Sequence, residues 1–179
     1  MLTFASPPAS SYNDDRVSGN SPTVARMKEE NVILLVEDCA EDVSLTLRAF
    51  KKWGIPNPIR VVTDGESAIQ YLGGEGAYAD REQHPLPALA LLDLKLPQMP
   101  GLDVLQWIRA RRGLDSLPVI VLSGTRNPEE FEQAHRLGAN GCVNKTSELN
   151  ELYDLIQHLN YFSAASEYNN SAVEFFPES

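Results

Sequence analysis

Three carboxylates, one hydroxyl and one ammonium each stand at the end of an apolar run. Glu37-Asp38 follows Val32-Ile33-Leu34-Leu35-Val36, Asp93 follows Ala88–Leu92, Ser123 follows Pro118–Leu122, and Lys145 follows Gly141–Asn144. If these runs are parallel strands of one open α/β sheet, their carboxyl ends form the rim where such sheets bind ligands. Gathered there, three acids (Glu37, Asp38, Asp93) against one base (Lys145) leave a formal charge of −2. Carboxylates that close cannot all stay ionised without a partner. A hard divalent cation resolves the conflict, and Mg2+ suits a site with few carboxylates and several retained waters. The backbone carbonyl of Lys95 is placed to serve as a further oxygen ligand. A neutralised Asp93 could then attack a phosphoryl group. The cation would hold one phosphoryl oxygen, Lys145 a second, and the Ser123 hydroxyl with its neighbouring amide the third. Phosphoryl transfer asks for this kind of positioning and charge stabilisation.

The elements that must position these residues follow from the apolar spacing. Val43, Leu47 and Phe50 recur at helical intervals until Gly54 supplies a stop. Pro58–Val62 reads as a short strand, and Asp64–Leu72 as a short helix broken by Gly73-Gly74. Gly101–Arg112 reads as a helix with Leu105 and Ile108 inward, and Asn127–Leu137 as another ending at Gly138. The final helix starts near Ser147, as N-cap, with Leu149, Leu152, Tyr153, Ile156 and Leu159 on one face. Five strands alternating with five helices predict an α/β fold, a doubly wound five-stranded parallel sheet covered on both sides. Residues 73–87 are long for such a connection and read as a tolerated surface insertion, with contact to a partner as the alternative.

Composition bounds the function. The 179 residues carry 25 acids against 15 bases, a net charge of −10, with 42% hydrophobic residues. That is one domain's length with enough apolar content for a core. The acidity argues against a nucleic-acid surface, which needs a clustered basic face. No run approaches the roughly 20 apolar residues of a membrane helix, and Met1–Pro8 lacks the pattern of a secretory signal. Cys39 and Cys142 form no disulfide framework, which suits a reducing cytoplasm. Residues 1–30, rich in Ser, Pro, Asn and Asp, read as a disordered extension, with Met27 as an alternative start. Residues 31–160 read as the folded domain. Residues 161–179 read as a loose tail, polar except for Tyr161, Phe162, Val173, Phe175 and Phe176.

With those residues in view, the chain resembles the receiver domain of two-component response regulators, which accept a phosphoryl group from a histidine kinase. The likeness lies in VILLVED (32–38), ALLDLKLPQMPGLDVL (90–105), PVIVLSG (118–124) and NK (144–145), and covers about residues 31–160. Asp93 and Ser123 stand 30 residues apart, and Ser123 and Lys145 stand 22 apart, both as in that family. The resemblance implies a flavodoxin-like sheet in strand order 2-1-3-4-5. By motif position it makes Asp93 the phosphoacceptor, Glu37 and Asp38 the acidic metal pair, Ser123 the switch hydroxyl and Lys145 the phosphate-contacting lysine. DCAEDVSLTLRAFKKWGI (38–55) and the long loop before the third strand are most similar to small receivers that partner bacterial phytochrome-type kinases. The pattern departs at Cys142, where an aromatic is common, and at Thr146, where Pro is common. The usual inward swing of that aromatic and the cis peptide after the lysine are therefore not implied.

Taken alone, each site residue has a plainer reading: Asp93 as a turn or cap, Glu37-Asp38 as a solvated acidic turn, Ser123 as turn chemistry, Lys145 as an exposed lysine. Convergence on one rim favours the functional readings. Pro97 and Pro100-Gly101 read as shaping the loop beyond Asp93. Cys39 reads as a small helix-opening residue, and His84, His135 and His158 as surface residues, none a phosphate donor. Glu41, Asp42 and Glu129–Glu132 read as ordinary solvated surface. The chain ends soon after its last helix, so a stand-alone domain is expected to signal by protein contacts rather than to act as an enzyme. Its output face would be the fourth helix, fifth strand and fifth helix, where Leu149, Leu152, Tyr153 and Ile156 could support a homodimer, though core packing explains some of them equally well. Two rivals use the same sheet. A Mg2+-dependent aspartyl-phosphate phosphatase or phosphotransferase should carry Asp-x-Asp, whereas this chain has Glu37-Asp38 and Asp93-Leu94-Lys95. A flavodoxin-type nucleotide binder needs a phosphate loop of amide donors, whereas Glu37-Asp38-Cys39-Ala40-Glu41-Asp42 would repel phosphate.

Overall fold

The computed structural model describes residues 31–125, 127–145 and 149–162. The expectations for residues 1–30, Thr146, Ser147, the Leu149 side chain and residues 163–179 lie outside what is described.

Each expected strand forms: β1 (Ile33–Val36), β2 (Ile59–Val62), β3 (Leu89–Asp93), β4 (Val119–Ser123) and β5 (Gly141–Asn144). They pair in parallel in the order β2-β1-β3-β4-β5. β1, β3 and β4 are buried along their whole length, which is why their sequences run apolar without alternation. Successive side chains still point to opposite faces. Ile33, Leu35, Leu91, Ile120 and Leu122 enter one core with Phe50, Leu152 and Ile156, under α1 (Ala40–Lys52) and α5 (Leu149–Phe162). Leu34, Val36, Leu92 and Val121 enter the other, under α2 (Gly65–Gly73), α3 (Gly101–Ala110) and α4 (Pro128–Arg136). Each large side chain buried this way contributes about 1.5–3 kcal/mol, so the rim itself can carry opposing charges without endangering the fold.

Helix ends follow the local chemistry. Asp64 caps α2 by accepting a hydrogen bond from the Ser67 amide at 2.7 Å. Asn127 caps α4 in the same way through the Glu129 amide, with Pro128 in the first turn. Gly54, at φ +66°, follows α1 and lets the Ile55 amide reach back to the Phe50 carbonyl at 3.1 Å. No helix among the described residues is long and apolar enough to cross a membrane.

The structure departs from several of these expectations. In α1, Leu47 is 40% exposed, while Thr46, Ala49 and Phe50 are buried and Val43 packs partly against the core. A step of four back from Phe50 reaches Thr46 and a further three reaches Val43, so the inner row runs through the threonine and Leu47 lies beside it, toward solvent. Leu152 and Ile156 are core residues and Tyr153 packs on Trp53, with ring centroids 5.4 Å apart. Leu152 and Ile156 are therefore spent inside the domain, while Tyr153 is half-buried. α5 includes Tyr161 and Phe162. Residues 73–87 lie largely at the surface, as expected of an insertion there, and are also tied to the body. The Arg81 guanidinium donates to the Tyr71, Leu72 and His84 carbonyls, and the Tyr71 hydroxyl donates to the Pro85 carbonyl. His84, half-buried between the Tyr71 and Tyr78 rings, belongs to that packing and not to the open surface.

Candidate functional site

Sheet register brings the strand ends together. Val36 lies beside Leu92, Asp93 beside Leu122, and Ser123 beside Asn144. Glu37 continues β1 by donating its amide to the Val62 carbonyl at 3.0 Å, and the Lys145 amide donates to the Ser123 carbonyl at 2.8 Å. Glu37 and Ser123 are wholly buried and Asp93 is nearly so, whereas Asp38 is exposed. Carboxylate oxygens of Glu37, Asp38 and Asp93 lie within 4.8 Å of one another.

The Lys145 ammonium is the counter-charge. Its Nζ sits 2.5 Å from Glu37 Oε2, 3.0 Å from Asp93 Oδ2 and 3.0 Å from Asp42 Oδ2. Asp42 is therefore not the solvated surface acid expected from the sequence. Counting it, four acids face one base, a local charge of −3 rather than −2. Burial works to lower the Lys145 pKa, but Glu37, Asp93 and Asp42 together hold the ammonium charged beyond the ordinary lysine value. Burial pushes the Glu37 carboxyl up from its usual range, with Lys145 working against it. An all-oxygen donor set with net negative charge and one exposed carboxylate fits a hard divalent cation that keeps some of its water.

The loop after β3 fixes Asp93 from the other side. Its Oδ1 accepts from the Lys95 amide at 3.2 Å, and the Gly101 amide donates to the Leu94 carbonyl at 3.0 Å. A Cβ on Gly101 would lie 2.0 Å from the Asp93 carbonyl oxygen. Gly101 thus does more than shape the loop, because only a residue without a side chain lets α3 begin against the Asp93 backbone. The Ser123 hydroxyl is turned onto its own loop, donating to the Thr125 carbonyl at 3.0 Å and accepting from the Thr125 amide at 3.2 Å. The Lys95 side chain is exposed.

Neither cysteine adds nucleophilic chemistry. Cys39 opens α1 and gives its amide to Glu37 Oε1 at 3.2 Å, while its thiol donates to Glu41 Oε2. Burial pushes the Cys142 thiol up to about 12, and its Sγ lies 3.9 Å from the Phe131 carbonyl of α4. His135 and His158 are exposed, as expected.

The sequence model of the response regulator receiver domain matches residues 33–157. Response regulator Rcp1 of Synechocystis sp. is 34% identical over 131 residues, 73% of this chain and 87% of that protein. The Mn2+-bound form of Rcp1 superposes with a TM-score of 0.62 at 33% identity, covering 75% of this chain and 94% of its own. The phosphorylated cyanobacterial phytochrome response regulator RcpA gives 0.64 at 32% identity, covering 79% and 99%. The bacteriophytochrome response regulator AtBRR gives 0.67 at 38% identity, covering 75% and 96%.

Proposed function

The chain belongs to the family of response regulator receiver domains, and from that membership we propose that Asp93 accepts a phosphoryl group from a histidine kinase in a divalent-metal-dependent reaction. The observation that carries this reading is the near-buried Asp93 carboxylate, ion-paired to Lys145 within a cluster of oxygen donors. Glu37, Asp38 and Asp93, with the Lys95 carbonyl, would hold Mg2+, which supplies positive charge for one phosphoryl oxygen when bound. An Asp93 oxygen forms the new O–P bond as the P–N bond to the kinase histidine breaks. Lys145 donates to a second phosphoryl oxygen. The Ser123 hydroxyl leaves Thr125 to donate to the third, together with the neighbouring amide.

The similarity to RcpA and AtBRR supports a phytochrome-type kinase as the partner. Added charge of about −1.5 to −2 at Asp93 would reset the Ser123–Thr125 turn and the adjoining start of α4. The signal then leaves through protein contacts at the α4–β5–α5 face, in the cytoplasm. A homodimer through that face belongs to the same reading, without Leu152 and Ile156, which the core consumes.

Incubation with Mg2+ and a small phosphodonor is expected to give about one phosphoryl group per chain, acid-stable and base-labile. Chelation of the metal before the donor is added should prevent labelling. Labelling that persists in excess chelator would contradict the metal-dependent reading, and sustained donor turnover would favour a phosphatase.

A further inference from the structure

The Lys145 ammonium has three protons to give and three carboxylates around it, but these carboxylates have different duties. Glu37 and Asp93 end rim strands and belong to the cluster of oxygen donors. Asp42 stands in the first turn of α1 and is not part of that cluster. Its Oδ2 accepts from Lys145 Nζ at 3.0 Å, a contact between residues 103 apart in sequence. Acids in a first helical turn are favourable in any case, through the helix dipole. Glu41, beside it in the same turn, shows what that plain role looks like: exposed, it takes a hydrogen bond from the Cys39 thiol. The side chain of Asp42 is 35% exposed and turns inward to the lysine instead.

Without Asp42, the ammonium would rest on Glu37 and Asp93 alone, the acids that the cation also needs. With it, one N–H is anchored on α1, and the other two are directed at the reacting carboxylate and its neighbour. We infer that Asp42 is a positioning residue for phosphoryl transfer, holding the Lys145 ammonium beside Asp93 through an ion pair between α1 and the end of β5. This rests on the phosphoacceptor reading above. It adds a residue that touches neither the phosphoryl group nor the metal.

The test compares the full chain with Asp42→Asn, Asp42→Glu and Glu41→Gln. In metal-free protein labelled with 15N-lysine, a slowly exchanging ammonium signal is expected for Lys145, assigned by its absence in Lys145→Arg. Asp42→Asn should remove or shift that signal, and Glu41→Gln should keep it. With saturating Mg2+ and a small phosphodonor, Asp42→Asn should lower the maximal rate of adduct formation about tenfold. The half-saturating donor concentration should stay within about twofold. Asp42→Glu should recover much of the rate, and Glu41→Gln should match the wild type. An unchanged maximal rate in Asp42→Asn, or an equal effect from Glu41→Gln, overturns the inference. Absence of any adduct on the wild type instead overturns the phosphoacceptor reading itself, an outcome recognisable before any variant is made.

Discussion

Lys145→Ala is expected to lose on the order of 3–5 kcal/mol of folding stability at neutral pH, because it strands buried carboxylates without their counter-charge. Glu37 is wholly buried and the Asp93 side chain is 5% exposed, while the lysine that pairs with both is itself 10% exposed. A fall in melting temperature of roughly 10 °C or more would follow. The pH dependence has a definite sign. Lys145 keeps its proton above the ordinary lysine value of 10.5, so its contribution is complete below that value and fades as pH rises past it. The gap between variant and wild type should therefore hold through neutral pH and close at strongly alkaline pH. It should also narrow in acid, where Glu37, already pushed up by burial and now without its lysine, takes up a proton. Added Mg2+ should raise the melting temperature of Lys145→Ala more than that of the wild type, since a cation replaces the missing charge. A variant as stable as the parent would show that the four-acid cluster does not depend on its lysine.

Gly101→Ala is expected to damage stability and phosphorylation together. The new Cβ would meet the Asp93 carbonyl oxygen at 2.0 Å, and the Asp93 carbonyl carbon and Leu94 Cα at 2.9 Å. These are backbone atoms of a central strand, so no side chain can swing aside, and α3 or the end of β3 must shift. Overpacking at a rigid position costs about 1–3 kcal/mol or more, and moving Asp93 by a fraction of an ångström also disturbs its contact with Lys145. Gly124→Ala provides the contrast, because a Cβ there meets nothing within 4 Å and the backbone φ is not positive. Thermal melting should separate the two variants clearly, and equal melting temperatures would refute the close-approach argument.

The contrast between these residues and the ones visible in the sequence has a physical basis. Strands buried on both faces write themselves as unbroken apolar runs, so their carboxyl ends, and with them Glu37, Asp38, Asp93, Ser123 and Lys145, could be placed before any coordinates. Parallel register then did the rest, since neighbouring strand ends must meet on one rim. Asp42 was hidden because its role is a tertiary contact, and an acid in a first helical turn looks the same whether it serves the helix dipole or a distant lysine. Leu47 misled because hydrophobic spacing alone does not say which of two adjacent rows faces the sheet, and a buried Thr46 breaks the pattern. Gly101 read as part of a Pro-Gly turn, while its real constraint is the space occupied by the Asp93 backbone. The Arg81 clamp on residues 73–87 uses main-chain carbonyls as acceptors, and these leave no trace in side-chain composition.

The central claim is that one carboxylate, Asp93, takes the phosphoryl group. Intact-mass analysis of wild type and Asp93→Asn, treated side by side with Mg2+ and a small phosphodonor, tests it most directly. The amide preserves the shape of the side chain but removes the nucleophilic charge. One base-labile phosphoryl group on the wild type and none on the variant is the predicted result; equal labelling of both would contradict it.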